Sequence, residues 1–346
     1  MTVASRWSPA PVSSITSTSA PGSAASIIDL ISARSAIAGI LGSRGYDRSM
    51  SALQAEREEV RFVSGGEHCA GRLFRPAGSG RSPCVVLGTG LGCVRDQGLD
   101  RYGERFAAAG LTALAFDYRH FGDSEGEPRT LLSPRLQRQD LRAALAYARG
   151  LDSVDSGRIA IWGYSLGGAH AQAVTIGDPE IAAAIYVAPV IDSLRSLLHM
   201  GGPPHLARVM AAGIRDRIRG LRRSEPVRLA AAGPPGSGAV MCTWDAARGF
   251  EEVTEPGSSW RNDLCPRGVT EPPYRLERRA RRIHRPALYC IAADDEVNPP
   301  SLGERTARGA SSAELRLYPG GHLAPFQGET FERMAADQVA FLERRL

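Results

Sequence analysis

The sequence contains no lysine, and all 42 basic residues are arginine. That absence excludes a Schiff-base amine, a pyridoxal phosphate anchor and a phosphate-loop lysine together, because each needs the ε-amine itself. Cysteine is sparse. The six residues Cys69, Cys84, Cys93, Cys242, Cys265 and Cys290 form no C-x-x-C pair, so reduced, buried thiols are expected rather than a redox or zinc motif. The seven histidines show neither H-x-x-x-H nor H-E-x-x-H spacing, and no metal is expected. Aromatics make up only 6%, so the net charge of +5 lacks the interleaved stacking residues of a nucleic-acid binder. No apolar run approaches the roughly 18 residues needed to span a bilayer. A soluble, cytoplasmic protein with neither a nucleic-acid nor a membrane partner is expected, and a homodimer is compatible with the sequence.

What is present is ordinary globular composition, 43% hydrophobic and 23% charged over 346 residues, enough for one large domain with an insertion. Residues 1–55 read as an arm: Ser, Ala, Pro and Thr predominate to about Ala25, then Ser26–Leu41 has the spacing of a short amphipathic helix. From Glu58, short strand-like runs alternate with helical ones. "EVRFVS" and "CAGRLFRP" flank a turn at Gly65-Gly66; "CVVLGTG", "LTALAFDYR", "RIAIWG", "AAAIYVAP", "PALYCIAA" and "AELRLYP" follow as strands. Helices are expected at Tyr102–Ala109, Leu136–Arg149, across "GGAHAQAVTIG", and at Phe331–Leu346. This alternation predicts a mostly parallel sheet with helices on both faces. Residues 193–285 break the pattern with Gly-Pro clusters and arginine-dense helices, and read as a cap inserted into a core of residues 56–192 and 286–346.

The chemistry sits at the ends of these strands. "IAIWGYSLGGAH" places Gly163-Tyr164-Ser165-Leu166-Gly167 between a strand and a helix, where a G-x-S-x-G turn exposes the serine hydroxyl. A serine nucleophile needs a base, and the base an orienting carboxylate. Asp294 and Asp295 follow one later strand and His322 follows the next, giving the order serine, acid, histidine. The glycine-rich "GTGLG" (Gly88–Gly92) has two readings, since backbone NH groups in such a turn hold either a pyrophosphate or a transient oxyanion. As a dinucleotide fingerprint it is incomplete. Cys93 stands where a small third residue is required, although Asp117 mimics the ribose-binding acid. Asp117, Arg119 and Asp123 read better as a buried polar turn supporting the rim.

"FDYRHFGDSEGEPR" (Phe116–Arg129), "WGYSLGG", the "WRN" of Trp260–Asn262 and "YPGGH" together resemble the α/β-hydrolase superfamily from about Glu58 to the C-terminus. Within it they are most similar to serine hydrolases that include fungal polyketide transferases and thiohydrolases. The resemblance implies an α/β-hydrolase fold and a cofactor-free catalytic set of Ser165, Asp295 and His322. Asp295 is preferred over Asp294 because Pro299 follows at the family's spacing. It also implies an oxyanion hole from the backbone NH groups of Leu91 and Leu166. Many relatives carry His-Gly where this chain has Thr89-Gly90. The expected substrate is a small-molecule acyl ester or thioester, cleaved through an acyl-enzyme, with Tyr164 and Trp260 as walls of its pocket. Acyl transfer or cyclisation with the same three residues is the alternative, and a non-catalytic binding protein on this fold would require one of them to be lost.

Overall fold

The computed structural model describes residues 56–346, Ser79 excepted; the arm and the helix expected at Ser26–Leu41 lie outside the described residues. The described chain starts in a hairpin, β1 (Glu56–Ser64) and β2 (Glu67–Arg75). Its turn is Gly65-Gly66 at φ 60° and 93°, the left-handed pair that a two-residue hairpin loop demands. Strands and helices then alternate: β3 (Ser82–Gly88), α1 (Leu99–Ala108), β4 (Thr112–Phe116), α2 (Pro134–Arg149), β5 (Val154–Tyr164), α3 (Leu166–Thr175) and β6 (Ala183–Val187). Next come α4 (Ser193–Leu221), the short parallel pair β7 (Ala232–Gly233) and β8 (Met241–Cys242), α5 (Trp244–Val253) and two 3₁₀ turns. The chain rejoins the sheet as β9 (Ala287–Ala292), α6 (Pro300–Gly309), β10 (Ala313–Tyr318) and α7 (Gly328–Glu343).

The eight-stranded sheet has the order β1-β2-β4-β3-β5-β6-β9-β10, antiparallel only where β2 meets β1 and β4. Every residue of β4, β6 and β9 is buried, as strands covered by helices on both faces must be. Alternation along each strand feeds two cores. Ile159 and Ile161 of β5 join α2 and α3 on one face, while Trp162 and Tyr164 join α1 and α7 on the other. This is the layering that the resemblance implies. Because β3 lies between β4 and β5, the loops after β3 and β5 meet at a topological switch point, where sheets of this kind carry their ligands.

Local signals account for the element ends. Helix α2 begins at Ser133, whose Oγ accepts the Leu136 NH at 3.3 Å, with Pro134 in the first turn. Helix α4 is broken at Gly201-Gly202, ahead of Pro203-Pro204, because neither proline can donate to the preceding turn. The first helix starts at Leu99, three residues before the expected Tyr102. Strand β4 stops at Phe116 rather than running through Arg119; Asp117 still donates its NH to the Ala70 carbonyl of β2 at 2.9 Å, and its side chain makes a buried anchor.

That anchor holds the glycine-rich loop. The Asp117 carboxylate accepts the Arg95 NH at 2.7 Å and pairs with the Arg95 guanidinium, which also reaches Asp123 at 2.9 Å and Glu59 at 3.1 Å. Arg119 turns the other way, to Asp140 at 2.6 Å. Burial pushes the Asp117 carboxyl up to about 6, against the pull of Arg95 and of the Arg95 and Asp123 amides. The turn after β4 therefore fixes the segment that follows Gly88–Gly92. Asp117→Asn weakens a charged pair but leaves the guanidinium its other two acids, so it should destabilise the fold by roughly 2–3 kcal/mol, measured by urea unfolding at neutral pH.

Candidate active site

Ser165 sits between β5 and α3 with φ 54° and ψ −117°, a conformation that L-residues adopt only under strain. The turn is possible because glycine flanks it. A Cβ on Gly163 would lie 2.3 Å from the Gly167 carbonyl oxygen, and one on Gly167 2.3 Å from that of Thr89. The second approach also explains the glycine-rich loop, since Gly88 pairs in register with Gly163 and the loop lies against the start of α3. Thr89 is buried, and its Oγ1 donates to the Cys93 carbonyl at 3.3 Å, closing the loop on itself.

The structure brings Ser165, Asp295 and His322 together. Ser165 Oγ lies 2.8 Å from His322 Nε2, and His322 Nδ1 lies 2.8 Å from Asp295 Oδ2. The other Asp295 oxygen accepts the NH groups of Val297 at 2.8 Å and Asn298 at 2.7 Å, so the carboxylate cannot swing away from the ring. Asp294 points elsewhere. It exchanges hydrogen bonds with the Gly320 backbone, both at 3.0 Å, and so ties the loop after β9 to the loop after β10. Burial pushes the His322 imidazole down, but the charge and hydrogen bond of Asp295, with the charge of Asp245, outweigh it and leave the ring above its usual value. This arrangement can take a proton from a hydroxyl and stabilise the imidazolium that results.

Leu91, Ser165 and Leu166 line one wall of a cavity enclosing about 740 Å³, solvent at its mouth included. Leu166 is the first residue of α3, so its NH has no acceptor one turn earlier in the helix. The segment between β6 and β9 also lines it, through Leu194, Leu197, Met200, Met241 and Val269. Tyr164 and Trp260, expected as pocket walls, are not among the residues lining this cavity. Alternation along β5 turns Tyr164 to the far face, where its hydroxyl donates to the His322 carbonyl at 2.9 Å and its ring packs on Phe326. Trp260 stacks on Phe250 with ring centroids 5.2 Å apart. Of the two, Tyr164 alone is in contact with the histidine, its ring 5.0 Å from that of His322.

One residue of the site escapes the sequence pattern. Asp245, in the first turn of α5, accepts the His322 NH at 2.6 Å and the Glu296 NH at 3.3 Å, while its own NH donates to the Glu296 carboxylate at 3.1 Å. It clamps the acid loop to the histidine loop. The glycine before the histidine makes room for it, since a Cβ on Gly321 would lie 2.2 Å from Asp245 Oδ1. All six cysteines are free and buried. Burial holds the Cys84 thiol up at about 12 and the Cys265 thiol at about 11. Among the described residues no cluster of His, Cys, Asp and Glu could hold a metal, and no helix is long and apolar enough to cross a membrane.

The base must be neutral to act, so kcat/KM on an activated ester should fall with acid through a midpoint above the ordinary imidazole value of about 6.5. Asp245→Asn removes one of the charges that raise His322 and should move that limb to lower pH; Asp245→Ala should also lower kcat, by about tenfold or more, through misplacement of the ring. An unmoved acid limb in both variants would show that Asp245 has no bearing on His322.

Comparison with known proteins identifies the family and the fold. A family model described as "Alpha/beta hydrolase family" matches residues 85–337. The quorum-quenching protein AidA of Acinetobacter baumannii is 37% identical over 287 residues, 83% of this chain and 94% of that protein. The polyketide transferase grgF of a Penicillium species is 33% identical over 189 residues, 54% of this chain and 62% of that one. The crystal structure of GrgF superposes with a TM-score of 0.71 at 26% identity, covering 84% of this chain and 99% of GrgF. An esterase of Pyrococcus furiosus, at 17% identity and a TM-score of 0.55, shares the fold. The chain belongs to the α/β hydrolase family.

Proposed function

We propose that this hydrolase cleaves a carboxylic ester or thioester with an apolar acyl group, through an acyl-enzyme on Ser165. The observation that carries the reading is the unbroken relay from Ser165 Oγ through His322 to Asp295, opening onto a cavity that also contains Leu91 and Leu166. In this reading Ser165 Oγ attacks the carbonyl carbon and passes its proton to His322 Nε2. The carbonyl oxygen gains the charge and takes hydrogen bonds from the NH groups of Leu91 and Leu166. His322 then protonates the departing alcohol or thiol, and water, deprotonated by the same ring, releases the acid.

Polarity in the cavity supports the apolar acyl group. Ser196 Oγ donates to Asn298 Oδ1 at 2.8 Å, and Asn298 Nδ2 donates to the Ala188 carbonyl at 2.9 Å. The Tyr274 hydroxyl is engaged by His170 at 2.6 Å and Arg138 at 2.7 Å. With these groups occupied, the side chains left to meet an acyl chain are mainly Leu, Val, Met and Pro. A relative named as a quorum-quenching protein fits removal of a small acyl compound, and cyclic esters therefore belong in the test panel. Relatives named polyketide transferase and acyltransferase favour a second reading, in which an alcohol or amine replaces water in the last step.

Ser165→Ala should lose about 10⁴-fold or more in kcat on activated esters, and a fluorophosphonate should label Ser165 in the parent protein but not in this variant. Mass spectrometry of the parent mixed with straight-chain esters, thioesters and acylated lactones should show acyl-Ser165, with medium or long chains reacting faster than acetyl. Full turnover in Ser165→Ala sinks the reading. An acyl-enzyme consumed faster by added alcohol or amine than by water selects transfer over hydrolysis.

A further inference from the structure

The second half of α4, after the break at Gly201-Gly202, has two opposed faces with one periodicity. His205, Val209, Ala212, Gly213 and Asp216 turn inward and are buried. Ala207, Ala211, Ile214, Ile218 and Leu221 turn outward, and the three largest are 50%, 44% and 82% exposed. Their spacing of four, three, four and three residues forms a narrow seam rather than scattered apolar positions, the pattern by which one helix receives the side chains of another. It runs for about 21 Å at a rise of 1.5 Å per residue.

Charge selects the partner. Arg208, Arg215 and Arg222, seven residues apart, flank one side of the seam and Arg217 the other, and all four are exposed. None has a carboxylate within ion-pair distance among the described residues. The sole acid of residues 203–223 is Asp216, which is buried and held by Arg267 at 2.9 Å. A second copy pairing through this seam would set arginine against arginine without relief. A bilayer surface fits less well, because residues 201–243 contain no Phe, Trp or Tyr and the outward face offers only three large apolar side chains, Ile214, Ile218 and Leu221. We propose that this face docks an acidic amphipathic helix of a partner protein, apolar in its seam and carrying Asp or Glu on its shoulders. A partner there would lie on the helix whose first half lines the active-site cavity through Leu194, Leu197 and Met200. The proposal stands independently of the acyl specificity argued above.

The test uses the full chain and a synthetic helical peptide of about four heptads, with Leu in the seam and Glu on the flanks, followed by fluorescence anisotropy; the same peptide with Lys flanks is the control. The parent protein should bind the Glu peptide and not the Lys peptide. Arg215→Glu/Arg222→Glu should weaken the Glu peptide by about tenfold or more and gain affinity for the Lys peptide, since reversal turns attraction into repulsion. Ile214→Ser/Ile218→Ser should weaken the Glu peptide comparably. Circular dichroism and ester turnover like the parent's would certify that each variant is folded. Equal binding of both peptides, no binding, or binding indifferent to the isoleucine pair overturns the proposal. So does sedimentation with phosphatidylglycerol-containing vesicles, or a concentration-dependent dimer, if either is abolished by the isoleucine substitutions while the Glu peptide fails to bind.

Discussion

The backbone of Ser165, held at a positive φ, is the constraint on which the rest of the site depends. Such a residue costs on the order of 1–3 kcal/mol and persists only where its surroundings over-determine it. Here the Ser165 NH donates to the Val187 carbonyl at 2.9 Å, and its own carbonyl accepts the NH groups of Val190 at 3.0 Å and Ala169 at 3.3 Å. Those bonds tie the turn to the end of β6 and to its own helix. The sharpness of the turn then forces backbone against backbone at Gly163 and Gly167, which draws the loop after β3 against the start of α3. The neighbourhood of Leu91 and Leu166 is thus a consequence of the elbow. The Asp117–Arg95 pair fixes the loop from its other side.

Two buried histidines show how strictly the electrostatics are local. His170 and His322 are both shut away from water. Burial drives His170 well down, and the nearby Arg138 charge adds to the effect, so the ring is a neutral link between Tyr274 and Gln137. His322 suffers the same desolvation and ends higher than its usual value, because Asp295 and Asp245 both face it. Burial alone would have made two inert rings. A carboxylate at hydrogen-bond distance is what raises the proton affinity of one of them.

These two properties are unequally visible in the sequence. Ser165, Asp295 and His322 are legible because each follows a strand with a clear apolar run, and in an α/β sheet strand order and direction bring such ends together. The choice between Asp294 and Asp295 rests on the spacing to Pro299, and the structure supplies the physical difference: one carboxylate bonds the Gly320 backbone and the other faces the imidazole. Tyr164 misleads because its place beside the serine suggests proximity to substrate, whereas period-two alternation sends adjacent residues to opposite faces. Asp245 is invisible for a related reason. An aspartate in the first turn of a helix already has a local explanation in the helix dipole, and nothing in the linear spacing reveals that a histidine 77 residues away lies against it.

The segment between β6 and β9 accordingly does more than line the cavity. A lid attached only by apolar contact could shift without changing the charges at the serine. Through Asp245 this segment touches the backbone of His322 and of Glu296, so any displacement of α5 alters the field at the base and the spacing of the loops that hold it. Through Ser196 it also touches Asn298, whose NH orients Asp295. The insertion therefore reaches the base from two directions, by charge at Asp245 and by hydrogen bonds at Asn298. The side chains that line the cavity from this segment and the groups that bear on the proton affinity of His322 are consequently parts of the same piece of chain.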